Sequence, residues 1–163
     1  MFPVNRIRTA IAVAAVAGSL VLPAYSGDRI VAYTIVNGNA VPESLTAGPG
    51  DPEAGRKLFF DREATGCSGC HGSPGGPGAQ PDSNGARAPE LTGIGDRMDA
   101  GTIRMWLIAP QVLAPDSGMP GYYSVGQRAD ENDPLYGSTR LSAEEIEALV
   151  AYLASQKSAQ VQQ

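Results

Sequence analysis

Every cysteine and histidine of this 163-residue chain falls within five consecutive residues, Cys67-Ser68-Gly69-Cys70-His71. Two thiols at this spacing, followed directly by an imidazole, form the attachment pattern of c-type haem. Each thiol adds to one vinyl group of the haem, and the adjacent histidine then lies under the iron as its proximal ligand. The motif therefore predicts one covalently bound haem c, with Cys67 and Cys70 as thioethers and His71 as an axial iron ligand.

Other interpretations of the motif need residues that the sequence lacks. A zinc site uses four nitrogen or sulfur ligands, usually in two pairs, and no second pair is present. A thioredoxin-like redox motif belongs to a βαβ unit, whereas the flanks here predict a helix and a Gly-rich loop. A disulfide leaves His71 without a role. The same counts exclude bis-histidine and thiolate ligation within the chain, and they leave no cysteine for carrying sulfur.

The second axial ligand has more than one candidate in the sequence. Met105 lies in an apolar helical run, which favours a place in the core, whereas Met119 lies in a Gly-Met-Pro-Gly segment. Glycine and proline there permit an extended loop, and a thioether ligand stabilises reduced iron. We therefore predict His71/Met119 coordination, with a surface position for Met119 as the alternative. The other candidates are Met98, Met105, Lys57, Lys157 and water, or no ligand at all.

The N-terminus has the pattern of an export signal. Arg6 and Arg8 precede an apolar run over 11–22, and small residues up to Ser26 suit cleavage. The run is shorter than the roughly 20 apolar residues of a spanning helix, which favours cleavage over a membrane anchor. We expect residues 1–26 to be a signal peptide, and the mature protein to be periplasmic without a membrane span.

Charge limits the class of partner. The formal net charge is −5, and removal of the predicted signal peptide takes away two further positive charges. This acidic balance argues against binding to the phosphate backbone of nucleic acid. Its expected partners have positive surface patches.

Local patterns predict an all-α domain over 51–155, preceded by an extension at 27–50 and followed by a polar tail at 156–163. In the extension, Ile30–Val36 is rich in β-branched residues and precedes Asn37-Gly38, which predicts a short strand and a turn. A flexible tail is the alternative for that segment.

Three helices are predicted within the domain. The first runs from an Asp51 cap to about Phe60. The second runs over 99–109 and ends at Pro110. The third follows Ser142, which forms a capping box with Glu145.

Residues around the motif resemble those of class I cytochromes c. Ala88-Pro89-Glu90-Leu91 is similar to the Gly-Pro-x-Leu stretch of that family, in which the proline carbonyl accepts the N–H of the proximal histidine. The resemblance assigns this role to Pro89 and packing against the haem to Leu91. It implies the class I cytochrome c fold, in which the first and last helices cross. Arg97 is a candidate propionate partner or a solvated side chain, and Tyr122 is a candidate lining residue or part of the core.

Longer stretches resemble the SoxX family, the monohaem subunits of SoxAX sulfur-oxidation cytochromes. The more specific stretches are Ser44-Leu45-Thr46 and Met119-Pro120-x-Tyr122-Tyr123, and the Gly/Pro-rich loop at 72–85 departs from the family. The similar segments lie at 41–46, 49–56, 66–71, 91–97, 119–123 and 145–153.

The resemblance implies a SoxA-type partner in a heterodimer. Such a complex joins thiosulfate to a cysteine of a SoxYZ carrier, and the sulfur chemistry takes place at a cysteine-ligated haem on the partner. This chain would accept the electrons and pass them to a downstream acceptor, so the enzymatic activity would belong to the complex. A free cytochrome c that shuttles electrons between respiratory complexes is the alternative function.

Overall fold

The computed structural model describes residues 30–72, 88–124 and 139–158. The predicted signal peptide at 1–26, nearly all of the loop at 72–85 and the end of the predicted tail lie outside these residues. The described helices are α1 (Pro52–Phe60), α2 (Cys67–His71), α3 (Ile94–Arg97), α4 (Ala100–Ile108), α5 (Pro110–Leu113) and α6 (Ala143–Ser155). None of them is long and apolar enough to cross a bilayer. The expected all-α class is confirmed.

The three predicted helices begin where their capping residues place them. The Asp51 and Asp99 carboxylates accept backbone N–H groups in the first turns of α1 and α4. Ser142 and Glu145 form the predicted capping box at the start of α6. These side chains satisfy amide groups that the start of a helix leaves without a partner. Pro110 does not end helical structure altogether, because α4 ends at Ile108 and Pro110 then begins the short helix α5.

The first and last long helices cross at Gly55. A Cβ atom on Gly55 would overlap the backbone carbonyl of Ala148 in α6, so the two helices approach this closely only because glycine has no side chain. Phe59 and Tyr152 pack at the same crossing, with ring centroids 5.5 Å apart. The crossing of terminal helices expected of a class I cytochrome c is therefore present.

The core lies between α4, α6 and the crossing. Met105 is completely buried in it, as its position in an apolar helical run predicts. The other buried apolar side chains that α4 and α6 contribute to this cluster, besides Tyr152, are Ile103, Leu107, Ile108, Ala143, Ile146, Leu149, Val150 and Leu153.

The extension does not form the strand predicted at 30–36, and that prediction is wrong. Within the described residues it has only an isolated bridge between Val36 and Ala40, around the predicted turn at Asn37-Gly38. A strand needs a neighbour that pairs along its length, and the described part of the chain supplies none. The backbone N–H of Val31 instead donates to the Tyr123 hydroxyl at 2.8 Å.

A buried ion pair joins α4 to α6. Arg104 Nε lies 2.6 Å from Glu147 Oε1, and Arg104 Nη2 lies 2.7 Å from Glu147 Oε2. The two residues are only 4% and 2% exposed. The geometry is the two-point contact between guanidinium and carboxylate, which is among the stronger hydrogen-bonded pairs.

The same ion pair holds the extension against the helices. Arg104 Nη1 donates to the Val41 carbonyl at 2.6 Å, and the Leu45 N–H donates to Glu147 Oε1 at 3.0 Å. Val41 itself is completely buried. Three segments that are distant in sequence therefore meet at one pair of charges, whose remaining polar atoms are satisfied by backbone groups.

The contacts of Glu147 make its charge stable in the folded state. Burial raises the pKa of Glu147, but hydrogen bonds from Arg104 and the Leu45 N–H, with the charge of Arg104, outweigh burial and hold the pKa below its usual 4.5. Because the folded-state pKa is the lower one, this contribution to stability is present above the usual pKa and is lost as the pH falls below it.

We expect Glu147→Gln to lower the free energy of unfolding at neutral pH by roughly 3–5 kcal/mol, because Arg104 is left buried without a counter-charge. The difference from the wild type should shrink as the pH falls below about 4.5. Urea unfolding across a pH series measures both effects. Glu144→Gln, an exposed carboxylate in the first turn of the same helix, is the control and should lose no more than about 1 kcal/mol. Equal losses in the two variants would contradict the prediction.

Candidate haem site

The helix α2 carries the whole Cys-x-x-Cys-His motif. It is bounded by Gly66 and Gly72, whose φ angles of 68° and 70° are in the region that glycine adopts most readily. Residues three apart lie on one face of a helix, so the turn places the two thiols side by side. Neither cysteine forms a disulfide, and Cys67 is buried whereas Cys70 is exposed. Burial raises the pKa of the Cys67 thiol.

The His71 ring is oriented by the backbone of Pro89. The Nδ1 atom lies 2.8 Å from the Pro89 carbonyl oxygen. A carbonyl can only accept a hydrogen bond, so Nδ1 carries the proton in this contact. The neutral ring then has its lone pair on Nε2, the form in which histidine binds a metal. The contact is the one that the class I resemblance assigns to Pro89.

The segment after Pro89 connects the site to α3. Leu91 is half-buried and packs against the hydrophobic core. Arg97, at the end of α3, directs its guanidinium at backbone carbonyls, with Nη2 3.0 Å from the Glu90 oxygen and Nη1 bonded to the Thr92 oxygen. The pairing of Arg97 with a haem propionate stays a prediction.

The loop that carries Met119 is held by α5. Gln111 Nε2 donates to the Met119 carbonyl at 2.8 Å and to the Ser117 carbonyl at 3.2 Å. The Met119 N–H donates to the Ser117 hydroxyl at 3.2 Å. The Met119 side chain is half-buried at the edge of the core, as is the Met98 side chain. Met105 is sealed in the core, so Met119 and Met98 are the methionines with partly accessible side chains in the described residues.

Tyr122 joins the Met119 loop to the segment that precedes α2. Tyr122 is 3% exposed, and its hydroxyl donates to the Thr65 carbonyl at 2.8 Å. Burial, and then the neighbouring Cys67 thiol, raise the pKa of Tyr122 well above its usual value, so the hydroxyl keeps its proton. Tyr122 therefore belongs to the core, which is one of the two positions that the sequence left open, and its hydroxyl bonds to the segment that carries the cysteines.

The residues present fit a haem c. The thiols that would bond to the vinyl groups share one helical turn, the imidazole has Nε2 available for iron, and a thioether lies on a loop outside the sealed core. Sequence reasoning missed Gln111 and Thr65, because both act through backbone carbonyls and neither residue type forms a recognisable motif.

Comparison with known proteins agrees with this set of residues. The model of the family described as cytochrome c matches residues 52–157. The chain belongs to the cytochrome c family. Such proteins carry covalently attached haem at a Cys-x-x-Cys-His motif and transfer electrons. This cytochrome has no match among curated protein sequences.

Among solved structures, this cytochrome is similar to a chain of the crystal structure of SoxXA from P. pantotrophus. The two chains are 28% identical with a TM-score of 0.59, and the match covers 78% of this chain and 94% of that chain. The resemblance to the SoxX family, predicted from the sequence, is confirmed.

We expect Tyr122→Phe to destabilise the holoprotein by about 1–2 kcal/mol, because the buried Thr65 carbonyl loses its hydroxyl partner. The shift of the urea midpoint at constant m-value measures the loss. Tyr152→Phe is the matched control, since its hydroxyl makes no hydrogen bond to the described residues and its ring is also buried. The prediction is wrong if the two variants unfold at the same urea concentration.

Proposed function

We propose that this cytochrome is the electron-accepting, monohaem subunit of a SoxAX-type complex that works on thiosulfate in the periplasm. The observation that carries the proposal is the match to a chain of SoxXA from P. pantotrophus, which covers 94% of that chain at 28% identity. The residues of the motif and its surroundings supply the parts that such a subunit needs.

The haem would be held by four side chains of this chain. Cys67 and Cys70 would bind it covalently, and His71, through Nε2, and Met119 would ligate its iron. When bound, the haem supplies a one-electron redox couple. Pro89 keeps the proton of His71 on Nδ1 through the 2.8 Å contact, and Gln111 holds the backbone of the Met119 loop through its carbonyl.

The cysteine count supports a place for the sulfur chemistry on another chain. Joining thiosulfate to a carrier cysteine forms a sulfur–sulfur bond and releases two electrons and one proton. Both cysteines of this chain belong to the haem motif, so neither is available to hold sulfur. The sulfur-bearing site then lies on a SoxA-type partner and the acceptor cysteine on a SoxYZ-type carrier. This chain receives the electrons one at a time and passes them to a downstream acceptor.

Co-expression with a SoxA-type subunit tests the partner. We expect a 1:1 complex by size-exclusion chromatography with light scattering. We also expect the haem of this chain to become reduced when thiosulfate and a SoxYZ-type carrier are added. The control is this chain with thiosulfate and carrier but without the partner, which should stay oxidised. If this chain stays monomeric and its haem stays oxidised with all components present, the proposal is wrong and a diffusible electron shuttle is favoured.

We expect Met119→Ala to abolish the sulfur-to-iron charge-transfer band of the oxidised protein, because no thioether then reaches the iron. Optical spectroscopy of the exported holoprotein measures the band. Met98→Ala is the matched control, because Met98 is also half-buried, and it should keep the band. A band that survives in Met119→Ala and disappears in Met98→Ala would assign the ligand to Met98 instead.

A further inference from the structure

The guanidinium of Arg97 bonds to two backbone carbonyls in the segment that follows Pro89. Nη2 donates to the Glu90 carbonyl at 3.0 Å, and Nη1 donates to the Thr92 carbonyl. A planar guanidinium presents its N–H groups in a fixed fork, so one side chain holds two carbonyls of the same loop. The Arg97 charge is therefore directed at the backbone of residues 90–92.

This loop depends on polar contacts for its position. Pro89 and Glu90 are exposed, so burial does not fix them. The loop is closed from inside by the Thr92 N–H, which donates to Glu90 Oε1 at 2.8 Å, and by the Ile94 N–H, which donates to the Leu91 carbonyl at 3.0 Å. The contacts of Arg97 also connect this loop to the end of α3.

The Pro89 carbonyl, which orients His71, directly precedes the Glu90 carbonyl that Arg97 holds. Pro89 directly precedes Glu90, and the peptide unit between them is planar. The position of the Glu90 backbone therefore restricts where the Pro89 oxygen lies. His71 is 18 residues away in sequence and is joined to this loop by the Nδ1 contact at 2.8 Å.

We propose that Arg97 is a positioning residue for the proximal histidine, and that it acts by holding the Glu90 and Thr92 carbonyls so that the Pro89 oxygen keeps the Nδ1 proton of His71. The inference rests on the proposed function only in requiring His71 as the haem ligand. A hydrogen bond at the second nitrogen of a ligating histidine orients the ring and raises its basicity. With the haem bound, Arg97 would thereby affect the balance between oxidised and reduced iron through the ring of His71.

A propionate contact gives Arg97 a different role, which depends on its charge. The two roles predict different results for solvent exchange of the His71 Nδ1 proton. If Arg97 holds the loop, its removal lets the hydrogen bond between His71 Nδ1 and the Pro89 oxygen open more often. If Arg97 only pairs with a propionate, its removal leaves that hydrogen bond intact. Exchange at Nδ1 is therefore the measurement that separates them.

The experiment uses the reduced, 15N-labelled holoprotein and measures exchange of the His71 Nδ1 proton by NMR. We expect exchange at least tenfold faster in Arg97→Met than in the wild type. Lys157→Met is the matched control, because Lys157 is also an exposed cation beside α3, bonded to the Gly95 carbonyl and 3.7 Å from Asp96. It removes the same charge without a contact to residues 89–92, and its exchange should stay within twofold of the wild type.

Arg97→Lys keeps the charge but lacks the planar fork, and it should exchange at least threefold faster than the wild type. If Arg97→Met does not yield folded protein, exchange in Arg97→Lys tests the proposal by itself. The proposal is overturned if the Nδ1 proton of Arg97→Met exchanges at the wild-type rate, or if that of Arg97→Lys does so even when Arg97→Met is faster. It is also overturned if exchange in Lys157→Met is accelerated as much as in Arg97→Met. The absorption spectrum separates this failure from that of the proposed function. A wild-type chain without covalent haem overturns both, whereas a low-spin haem with unchanged exchange overturns only the role of Arg97.

Discussion

The buried pair of Arg104 and Glu147 sets the arrangement of the helices and of the extension. Its two hydrogen bonds join α4 to α6, and its remaining polar atoms bond to the backbone at Val41 and Leu45. Charges this deeply buried are tolerated only when each has a partner. The extension therefore completes the polar contacts of the helical core, and its removal would leave both charges partly unsatisfied.

The haem site is built differently, from short segments fixed by backbone hydrogen bonds. The Pro89 carbonyl orients His71, Gln111 holds the Met119 carbonyl, and the Tyr122 hydroxyl reaches the Thr65 carbonyl. Such contacts set the geometry of loops without the apolar periodicity of a helix. A cytochrome of this size gains further stability from the apolar surface that the cofactor brings into its interior. The Gly55 crossing supplies the rigid frame to which these loops are attached.

Much of the fold could be predicted from local chemistry, because capping residues and apolar periodicity act over a few positions. Asp51, Asp99 and Ser142 mark the starts of three helices for that reason. The strand prediction at 30–36 is wrong, because β-branched composition indicates an extended chain but does not provide a neighbour. The ion pair could not be foreseen, since Arg104 and Glu147 are 43 residues apart and neither residue type has a motif.

The sequence by itself identified Cys67-Ser68-Gly69-Cys70-His71 as a haem-attachment motif, because the pattern depends only on residue types within one helical turn. It also excluded a second histidine or a third cysteine as a ligand, since the chain contains neither. The class I resemblance also implied the Pro89 contact to His71, and the tertiary structure supplied its 2.8 Å geometry and the side chains that hold the neighbouring loops. The Pro89 carbonyl contacts His71, and the Gln111 amide contacts the Met119 carbonyl, through distances between segments that a linear pattern of residue types does not encode.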